Sequence, residues 1–560
     1  MKQKTYQIFK LVPVLVGATL LSACAHKPDQ AASLNGAQSF NVVESSINDL
    51  HTALLQGQTS CKQVIEKYLA RIDAYDKDNG GKFPANPKLH SVLTINKNAL
   101  KEATELDKYQ IEKGRLKGSL HCVAILPKDN IDTIDMPTTS GATTLAKAQP
   151  KDDAYVIRKV KEAGGIILGK ANLAEFAQTY TGESTLGGQP LNPYDLSKGP
   201  GGSSSGTAVA VSASLAAVGI GTDTGGSVRV PSAMTGLVGI RPSLRLVSQD
   251  GIVPLAPIQD TAGPMCRTVA DCASLLTVMV GFDKQPTSGH RNAPERSAKL
   301  MQSESEYKEL TQVKSDYSQY LANASALKGM RLGLVKELYG KDSVLNATID
   351  AAIEKMRAAG AVVEEVKIPY LPEILAYPSA SFYEFKDALN EYLTSLPVSA
   401  DVKVRSYADI MASGTAMSNF KDYDKDYSDA KQRREFFINV DARNVFVREQ
   451  VKRAINNIDG NGKQLGKPYD ALIYPGSKSF PLEIGKQPDA AGNIRLGSFT
   501  GYPSMSIPAA MAKPKQDAPE LPVAFEVLAR QFDEPTLIKF GSAWESLAKV
   551  RVAPFSTPSL

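Results

Sequence analysis

Short apolar runs alternate with helical stretches from about residue 90 onwards, and this alternation is the feature that most constrains the fold. Runs such as Cys122–Leu126 and Val218–Gly221 have the length of buried strands, and helical patterns such as Tyr155–Ala163 and Leu345–Ala359 lie between such runs. This alternation is typical of an α/β protein whose sheet is covered on both faces. We therefore predict an α/β fold, a single large domain over residues 40–560, with a mostly parallel mixed central sheet covered by helices.

The composition excludes several classes of protein. Of the 560 residues, 42% are hydrophobic and 22% are charged, which excludes collagen-like, disordered and polytopic membrane chains. The formal charge of +5 arises from 64 basic and 59 acidic residues, so it gives no reason to expect a nucleic-acid partner. With five histidines and no C-x-x-C pair, we expect neither a metal site nor a cofactor. A charged, helix-rich segment at 380–458 is predicted to form a peripheral cap on the domain.

The N-terminal segment has the pattern of an export signal. Three lysines precede the apolar run Leu11–Ala23, which is too short to span a bilayer as a helix. The run ends in Leu21–Cys24, which resembles the lipobox of bacterial lipoproteins. We predict that residues 1–23 are removed, that Cys24 carries the lipid and that 24–39 form a flexible tether. The lipid anchor would hold the protein on a membrane of the bacterial cell envelope, facing the periplasm, with the choice of inner or outer membrane left open.

Four further cysteines follow Cys24. Five cysteines in 560 residues are too few for a disulfide framework, so we interpret Cys61, Cys122, Cys266 and Cys272 as small buried thiols. Whether Cys266 and Cys272 pair stays open, because pairing them needs a turn of the backbone.

One phosphate-binding motif and one nucleophile-elbow motif occur in the sequence, but the residues around each do not suit that function. Gly164–Lys170 fits G-x-x-x-x-G-K, but Ala171 stands where a Ser or Thr would bind magnesium, and the middle of the motif is apolar. Gly202–Gly206 fits G-x-S-x-G, which would make Ser204 a nucleophile-elbow serine. That elbow follows a strand and needs a later histidine, whereas turn-forming residues precede this motif and only His290 follows it. We reject both motifs.

A third group of segments places a lysine, a serine-rich loop and a glycine turn at strand ends. Lys128 follows the predicted strand Cys122–Leu126, and the loop Gly199–Gly206 leads into a helix. The turn Thr222–Arg229 follows the predicted strand Val218–Gly221 and contains two glycines just before a serine. Such a turn lets backbone N–H groups converge on an oxyanion. Together these segments predict a site for serine chemistry without histidine.

These segments resemble the amidase signature family. The resemblance is carried by Gly201–Ala208 with Gly225–Ala233, and it extends to Lys128–Asn130, Gly169–Phe176, Asp260–Met265 and Gly501–Ser504. It covers nearly the whole chain after the signal segment and is strongest for the bacterial peptide-amidase branch. It implies the amidase signature fold and an enzyme that hydrolyses the C–N bond of linear carboxamides, giving a carboxylic acid and ammonia or an amine.

The resemblance also implies a Ser–cisSer–Lys triad. Ser227 would be the nucleophile that becomes acylated, Ser203 the middle serine on a cis peptide, and Lys128 the base. The family places the middle serine directly after a Gly-Gly pair, which selects Ser203 over Ser204 and Ser205. Because lysine accepts a proton only when neutral, Lys128 must be buried enough to lower its pKa.

The backbone around the nucleophile is predicted to bind the substrate oxyanion. The N–H groups of Thr224, Gly225 and Gly226, with that of Ser227, would hold the developing negative charge. The substrate would be a small-molecule or peptide amide. Tyr180 could line its pocket or belong to the core, and the oligomeric state stays open.

Two other functions remain as alternatives. One is a glutamine-dependent amidotransferase subunit, which releases ammonia from glutamine for a partner in the cytoplasm. The other is a catalytically degenerate binding lipoprotein of the same fold. The second alternative rests on Cys122 and Ala124, which stand where we expect Gly and Pro in the strand before the lysine.

Overall fold

The computed structural model describes residues 40–77, 87–284, 303–398, 401–424, 430–488 and 491–560. The signal segment, Cys24, the tether and His290 lie outside these residues. Phe40–Leu560 form one compact unit. In the described part of the chain, no helix is both long and apolar enough to cross a membrane.

Strands occur in the described residues between Val92 and Leu528. They are β1 (Val92–Ile95), β2 (Ala124–Pro127), β3 (Ile166–Ile167), β4 (Gly169–Ala171), β5 (Val218–Asp223), β6 (Val238–Arg241), β7 (Thr261–Cys266), β8 (Arg331–Leu334), β9 (Val362–Glu365), β10 (Ala471–Pro475), β11 (Ser504–Ala512) and β12 (Leu521–Leu528). A ten-stranded sheet has the order β3-β2-β5-β7-β6-β11-β12-β10-β8-β9, and β1 pairs with β4 separately.

Helices lie between and around these strands. They are α1 (Ile47–Leu55), α2 (Cys61–Tyr75), α3 (Ala99–Lys113), α4 (Tyr155–Glu162), α5 (Ser205–Ser212), α6 (Arg229–Met234), α7 (Val269–Met279), α8 (Glu304–Thr311), α9 (Ser343–Ala358), α10 (Leu371–Ala376), α11 (Ser381–Ser395), α12 (Tyr407–Ala412), α13 (Ala430–Phe436), α14 (Arg443–Ile455), α15 (Ala491–Thr500) and α16 (Glu534–Ala548).

The large sheet is mixed and covered by helices, as predicted, but parallel pairing is confined to its two ends. The parallel pairs are β3–β2, β2–β5, β10–β8 and β8–β9. The five pairs between β5 and β10 are antiparallel, so "mostly parallel" was wrong. A strand buried on both faces shows the same continuous apolar run in either direction, which is why the sequence pattern did not distinguish the two.

Two features of this sheet place the candidate site. The parallel strands β2 and β5 are in register with Pro127 opposite Ile220, so the segments that follow both strands begin at the same edge. The helix α5, whose eight residues are all buried, follows the serine-rich loop and packs against both strands. The ends of β2 and β5 and the start of α5 therefore meet at one point.

The segment predicted as a cap contains the helices α11, α12, α13 and α14. A 3-10 helix at Ser418–Tyr423 and a π-helix at Phe437–Ala442 lie among them. Aromatic side chains hold this segment to the body of the protein: the ring of Phe176 lies 5.9 Å from that of Phe385 and 5.2 Å from that of Phe420. Phe176 is thus a core residue.

The prediction of four free thiols was wrong for two of them. Cys61, at the start of α2, and Cys122, just before β2, form a disulfide with a Cα–Cα distance of 5.4 Å. Cys266 and Cys272 are free and buried. The bonded cysteines are 61 residues apart, and they meet because the start of α2 lies close to the segment just before β2. Their spacing in the sequence therefore carried no signal of the pair.

Candidate active site

Lys128 lies at the centre of the candidate site, directly after β2. Its backbone N–H donates to the Ile220 carbonyl of β5 at 2.9 Å, which continues the parallel pairing and directs the side chain toward the end of β5. The Lys128 Nζ donates to Ser203 Oγ and to Thr222 Oγ1, both at 2.7 Å. The side chain is fully buried. The structure therefore brings together the predicted base and the predicted middle serine.

The surroundings of Lys128 favour its neutral form. Burial lowers its pKa to about 7, and the more distant carboxylates of Asp223 and Asp260 only partly oppose this effect. Above this pH the amine is mostly neutral and has a lone pair that can accept a proton. This is the property that a lysine base needs.

The three consecutive serines differ in their contacts. Ser203 follows a cis peptide bond from Gly202, and its hydroxyl contacts Lys128. The Ser204 hydroxyl donates to the Thr222 carbonyl and accepts from the Thr222 N–H, both at 3.3 Å. The Ser205 hydroxyl donates to the Gly182 carbonyl at 2.9 Å. Ser204 and Ser205 thus fasten the loop, whereas Ser203 faces the lysine.

The turn that carries Ser227 is held by the buried carboxylate of Asp223. Its oxygens accept from the N–H groups of Gly226 at 2.9 Å and Val228 at 3.2 Å. Arg229 Nε and Arg241 Nη1 donate to the same carboxylate at 3.0 and 2.9 Å. Burial alone would raise the pKa of Asp223, but the two guanidinium groups hold it well below its usual range. Asp223 therefore stays ionised and fixes the turn.

Gly226 is a position in this turn that only glycine fits. Its φ of +117° is a conformation that side-chain-bearing residues rarely adopt, and a Cβ built on it would lie 2.3 Å from Ile494 Cδ1. The helix α15, which carries Ile494, is therefore packed directly against the nucleophile turn. Arg229 strengthens this contact because its Nη1 donates to the Ile494 carbonyl at 3.0 Å.

The peptide groups predicted to bind the oxyanion differ in the hydrogen bonds that they already form. The Gly226 N–H already donates to Asp223, so in this structure it is not directed at a substrate, and its assignment as an oxyanion donor needs correction. The carbonyl of Thr224 accepts from Gln259 Nε2 at 3.0 Å, and that of Gly225 accepts from the Tyr180 hydroxyl at 2.7 Å. These contacts fix the peptide planes whose N–H groups belong to Gly225 and Gly226.

Ser227 lies on the wall of a cleft of about 190 Å³. The wall also includes Thr224 and Gly225 of the turn, with side chains from the cap segment and α15; its other residues are Ala177, Gln178, Tyr180, Leu255, Gln259, Pro378, Ser379, Ser381, Phe382, Tyr423, Arg495, Ser498 and Phe499. Lys128 and Ser203 are fully buried and are not among the residues that line this cleft. Sequence analysis left the place of Tyr180 open and missed Gln259 and Arg495, which no short motif marks.

The rejected phosphate-loop motif is structural. Its Gly164–Lys170 segment contains β3 and enters β4. Lys170 is fully buried and forms an ion pair with Asp129 at 3.1 Å, and it also donates to Thr138 Oγ1 at 3.0 Å. Among the described residues, no group of three His, Cys, Asp or Glu side chains could hold a metal ion.

Comparisons with known proteins agree with this architecture. The sequence profile of the Amidase family matches residues 63–538. A probable amidase of Arabidopsis thaliana is 32% identical over 542 residues, covering 94% of both chains. A chloroplastic and mitochondrial glutamyl-tRNA(Gln) amidotransferase subunit of the same plant is 29% identical, covering 95% of this chain and 94% of that one. The crystal structure of the native peptide amidase from Stenotrophomonas maltophilia superposes with a TM-score of 0.75 and 31% identity, covering 92% of this chain and 99% of that chain.

The chain belongs to the amidase family. It is an enzyme that hydrolyses carbon–nitrogen amide bonds, as the resemblance in sequence implied.

Proposed function

We propose that Ser227 attacks the carbonyl of a linear carboxamide and that Lys128 accepts its proton through Ser203. The 2.7 Å hydrogen bond between Lys128 Nζ and Ser203 Oγ is the observation on which this mechanism depends. The backbone N–H of Ser204 donates to the Ser227 carbonyl at 3.2 Å, which holds the serine loop against the nucleophile turn. A serine hydroxyl needs such a neighbouring base to become a good nucleophile.

Hydrolysis then proceeds in two half-reactions, the acylation of Ser227 and its deacylation. The Ser227 oxygen forms a bond to the carbonyl carbon while its proton passes to Ser203 and the Ser203 proton passes to Lys128. The tetrahedral intermediate collapses, the C–N bond breaks, and the leaving ammonia or amine takes the proton back along the same path. Water next attacks the acyl-enzyme while one of its protons passes through Ser203 to Lys128. The ester C–O bond to Ser227 breaks, the Ser227 oxygen takes the proton back along the same path, and the carboxylic acid leaves. No cofactor enters these steps.

Peptide amides and small linear amides are the proposed substrates. Aromatic side chains of Phe382, Tyr423 and Phe499 provide apolar surface on the cleft wall, and Gln259 provides an amide. The likeness to a peptide amidase supports this class of substrate.

The test is product analysis on four amides. Ammonia or amine release is measured for a dipeptide amide, an aryl amide, a short aliphatic amide and glutamine, with Ser227→Ala as the blank. We expect acid and ammonia or amine in equal amounts from at least one of the first three. Release from glutamine alone would favour the amidotransferase function, for which the 29% identity to the plant amidotransferase is the supporting observation. No release from any of the four would favour the binding protein.

We further propose that the protein is a lipoprotein of the bacterial cell envelope, anchored through Cys24 and facing the periplasm. The pattern Leu21–Cys24 supports the anchor. The disulfide between Cys61 and Cys122 supports export, because such bonds persist in oxidising compartments and are rare in the cytoplasm. The same bond disfavours the amidotransferase function, which in a bacterium belongs in the cytoplasm.

Replacing Cys24 tests the anchor. We expect Cys24→Ala to accumulate as unprocessed precursor and to lose metabolic labelling by palmitate, because the thiol is the proposed site of lipid attachment. Labelling and fractionation are compared with Cys266→Ala, which removes a buried thiol far along the chain. Labelling of the Cys24→Ala protein at the level of the wild type would contradict the anchor.

A further inference from the structure

One charged side chain, Arg495 of α15, lies on the part of the cleft wall that the structure describes. It is half-buried, and its Nη1 donates to the Leu375 carbonyl. Its guanidinium lies 5.9 Å from the centre of the Phe499 ring. Among the described residues, the titratable groups that interact with it are the Tyr180 hydroxyl and the Arg443 guanidinium, and no carboxylate is among them. Burial lowers the pKa of Arg495. Arg495 therefore carries a positive charge into the cleft, where the described residues provide no ion-pair partner for it.

The other buried arginines near the site form ion pairs or hydrogen bonds with residues of the fold. Arg229 is paired with Asp223 and Glu526, and Arg241 with Asp223. Arg443 stacks 4.0 Å from the centre of the Phe499 ring and donates to Gln259 Oε1 at 2.9 Å. These ion pairs and hydrogen bonds engage the three guanidinium groups within the fold.

The position of Arg495 relative to the nucleophile is fixed by its neighbour in sequence. The Ile494 side chain fills the space above Gly226, and the Ile494 carbonyl accepts from Arg229. Ser498, one turn further along α15, accepts from Arg229 Nη2 at 3.0 Å. The helix that carries Arg495 is thereby held rigidly against the turn that carries Ser227.

We propose that Arg495 binds a carboxylate on the acyl portion of the substrate, so that the cleft selects linear amides that carry a negative charge. Half of the hydration shell of the Arg495 guanidinium is removed, and no carboxylate among the described residues replaces it. A bound anion would restore the lost interactions. The planar guanidinium suits a carboxylate, with which it forms short charge-assisted hydrogen bonds. This inference rests on the proposed function, because it places the acyl group of the Ser227 intermediate in this cleft.

The test compares substrates that differ in one charge. Hydrolysis of succinamate, glutaramate and adipamate is measured beside that of their neutral methyl esters, and kcat and KM are determined separately. The wild type should prefer at least one of the acids over its ester by about 10- to 100-fold in kcat/KM, the range for a hydrogen bond to a charged group. Arg495→Gln should lower kcat/KM for the acids more than for the esters and so reduce this preference to less than about 2-fold. Arg495→Lys should keep part of it, since lysine retains the charge but lacks the planar fork.

Arg453→Gln on α14 is the matched control, because that arginine pairs with Glu449 at 3.0 Å and is not on the cleft wall. It should keep the preference of the wild type. Equal kcat/KM for acids and esters in the wild type, or an equal loss for both in Arg495→Gln, would overturn the inference.

A binding measurement distinguishes failure of the proposed anion site from failure of the proposed catalytic mechanism. Calorimetric titration of each acid and ester into Ser227→Ala should show at least one acid binding about 10-fold more tightly than its ester, and Ser227→Ala with Arg495→Gln should lose the difference. If this difference is present but the wild type hydrolyses neither ligand, the proposed function fails and the anion site stands. If the wild type hydrolyses the esters but no acid binds more tightly, the anion site fails and the function stands.

Discussion

Ser227→Ala is expected to lower kcat for amide hydrolysis by about 10⁴- to 10⁶-fold, the loss that accompanies removal of a serine nucleophile. The physical reason is that the hydroxyl oxygen of Ser227 forms the acyl bond, and neither Ser204 nor Ser205 can replace it from the loop. The measurement is a single-turnover and steady-state assay on the best amide of the substrate panel, with unchanged circular dichroism as evidence of folding.

Ser204→Ala and Ser205→Ala are the matched controls. Their hydroxyls bind the Thr222 backbone and the Gly182 carbonyl, so their loss should affect the stability of the loop more than the chemistry. Both variants should keep most of the activity. A dead Ser204→Ala together with an active Ser227→Ala would make Ser204 the nucleophile and would refute the mechanism.

Lys128→Arg is expected to be as inactive as Lys128→Ala, with a loss of at least about 10²-fold in kcat/KM. Lysine at 128 both removes the proton from the nucleophile and returns it to the leaving group, and general acid–base catalysis contributes at least about this factor. Arginine keeps the positive charge but is not deprotonated in proteins. The comparison therefore separates a base from a structural cation. Turnover by Lys128→Arg close to that of the wild type would remove Lys128 from the mechanism.

The pH profile of the wild type tests the same residue in a second way. Because burial lowers the pKa of Lys128 to about 7, the amine is protonated and inactive below this pH and neutral above it. We expect kcat/KM to rise with pH, to bend near pH 7 and to reach a plateau in the alkaline range. A profile that is flat between pH 5 and 9, or one that falls as the pH rises, would contradict the assignment.

The sequence was most informative where chemistry requires a particular residue at a strand end. Lys128, Ser203 and Ser227 each follow or flank a glycine or a strand end, and the structure places Lys128 in contact with Ser203 and with Thr222 of the adjoining strand. The mixed α/β architecture and the amide-hydrolase activity were also correctly predicted. These features could be predicted because they depend on local sequence patterns and on a motif whose residues have a narrowly defined spacing.

Features that depend on packing between segments far apart in the sequence could not be predicted from local patterns. The bond between Cys61 and Cys122 requires the start of α2 to lie close to the segment just before β2. The direction of a fully buried strand leaves no trace in its hydrophobic pattern. The Gly226 N–H was assigned to the oxyanion because the sequence does not reveal that Asp223 accepts it. Arg495 reaches the cleft wall because α15 packs on Gly226, a contact between segments more than 260 residues apart.

Covalent labelling measures the identity of the nucleophile most directly. The purified domain is treated with a fluorophosphonate at pH 8, and the modified peptide is sequenced by mass spectrometry, with Lys128→Ala and Ser227→Ala treated in parallel. The mechanism predicts a single adduct on Ser227 in the wild type, a strongly slowed reaction in Lys128→Ala and none in Ser227→Ala. An adduct on Ser203, Ser204 or Ser205 with Ser227 unmodified would contradict it.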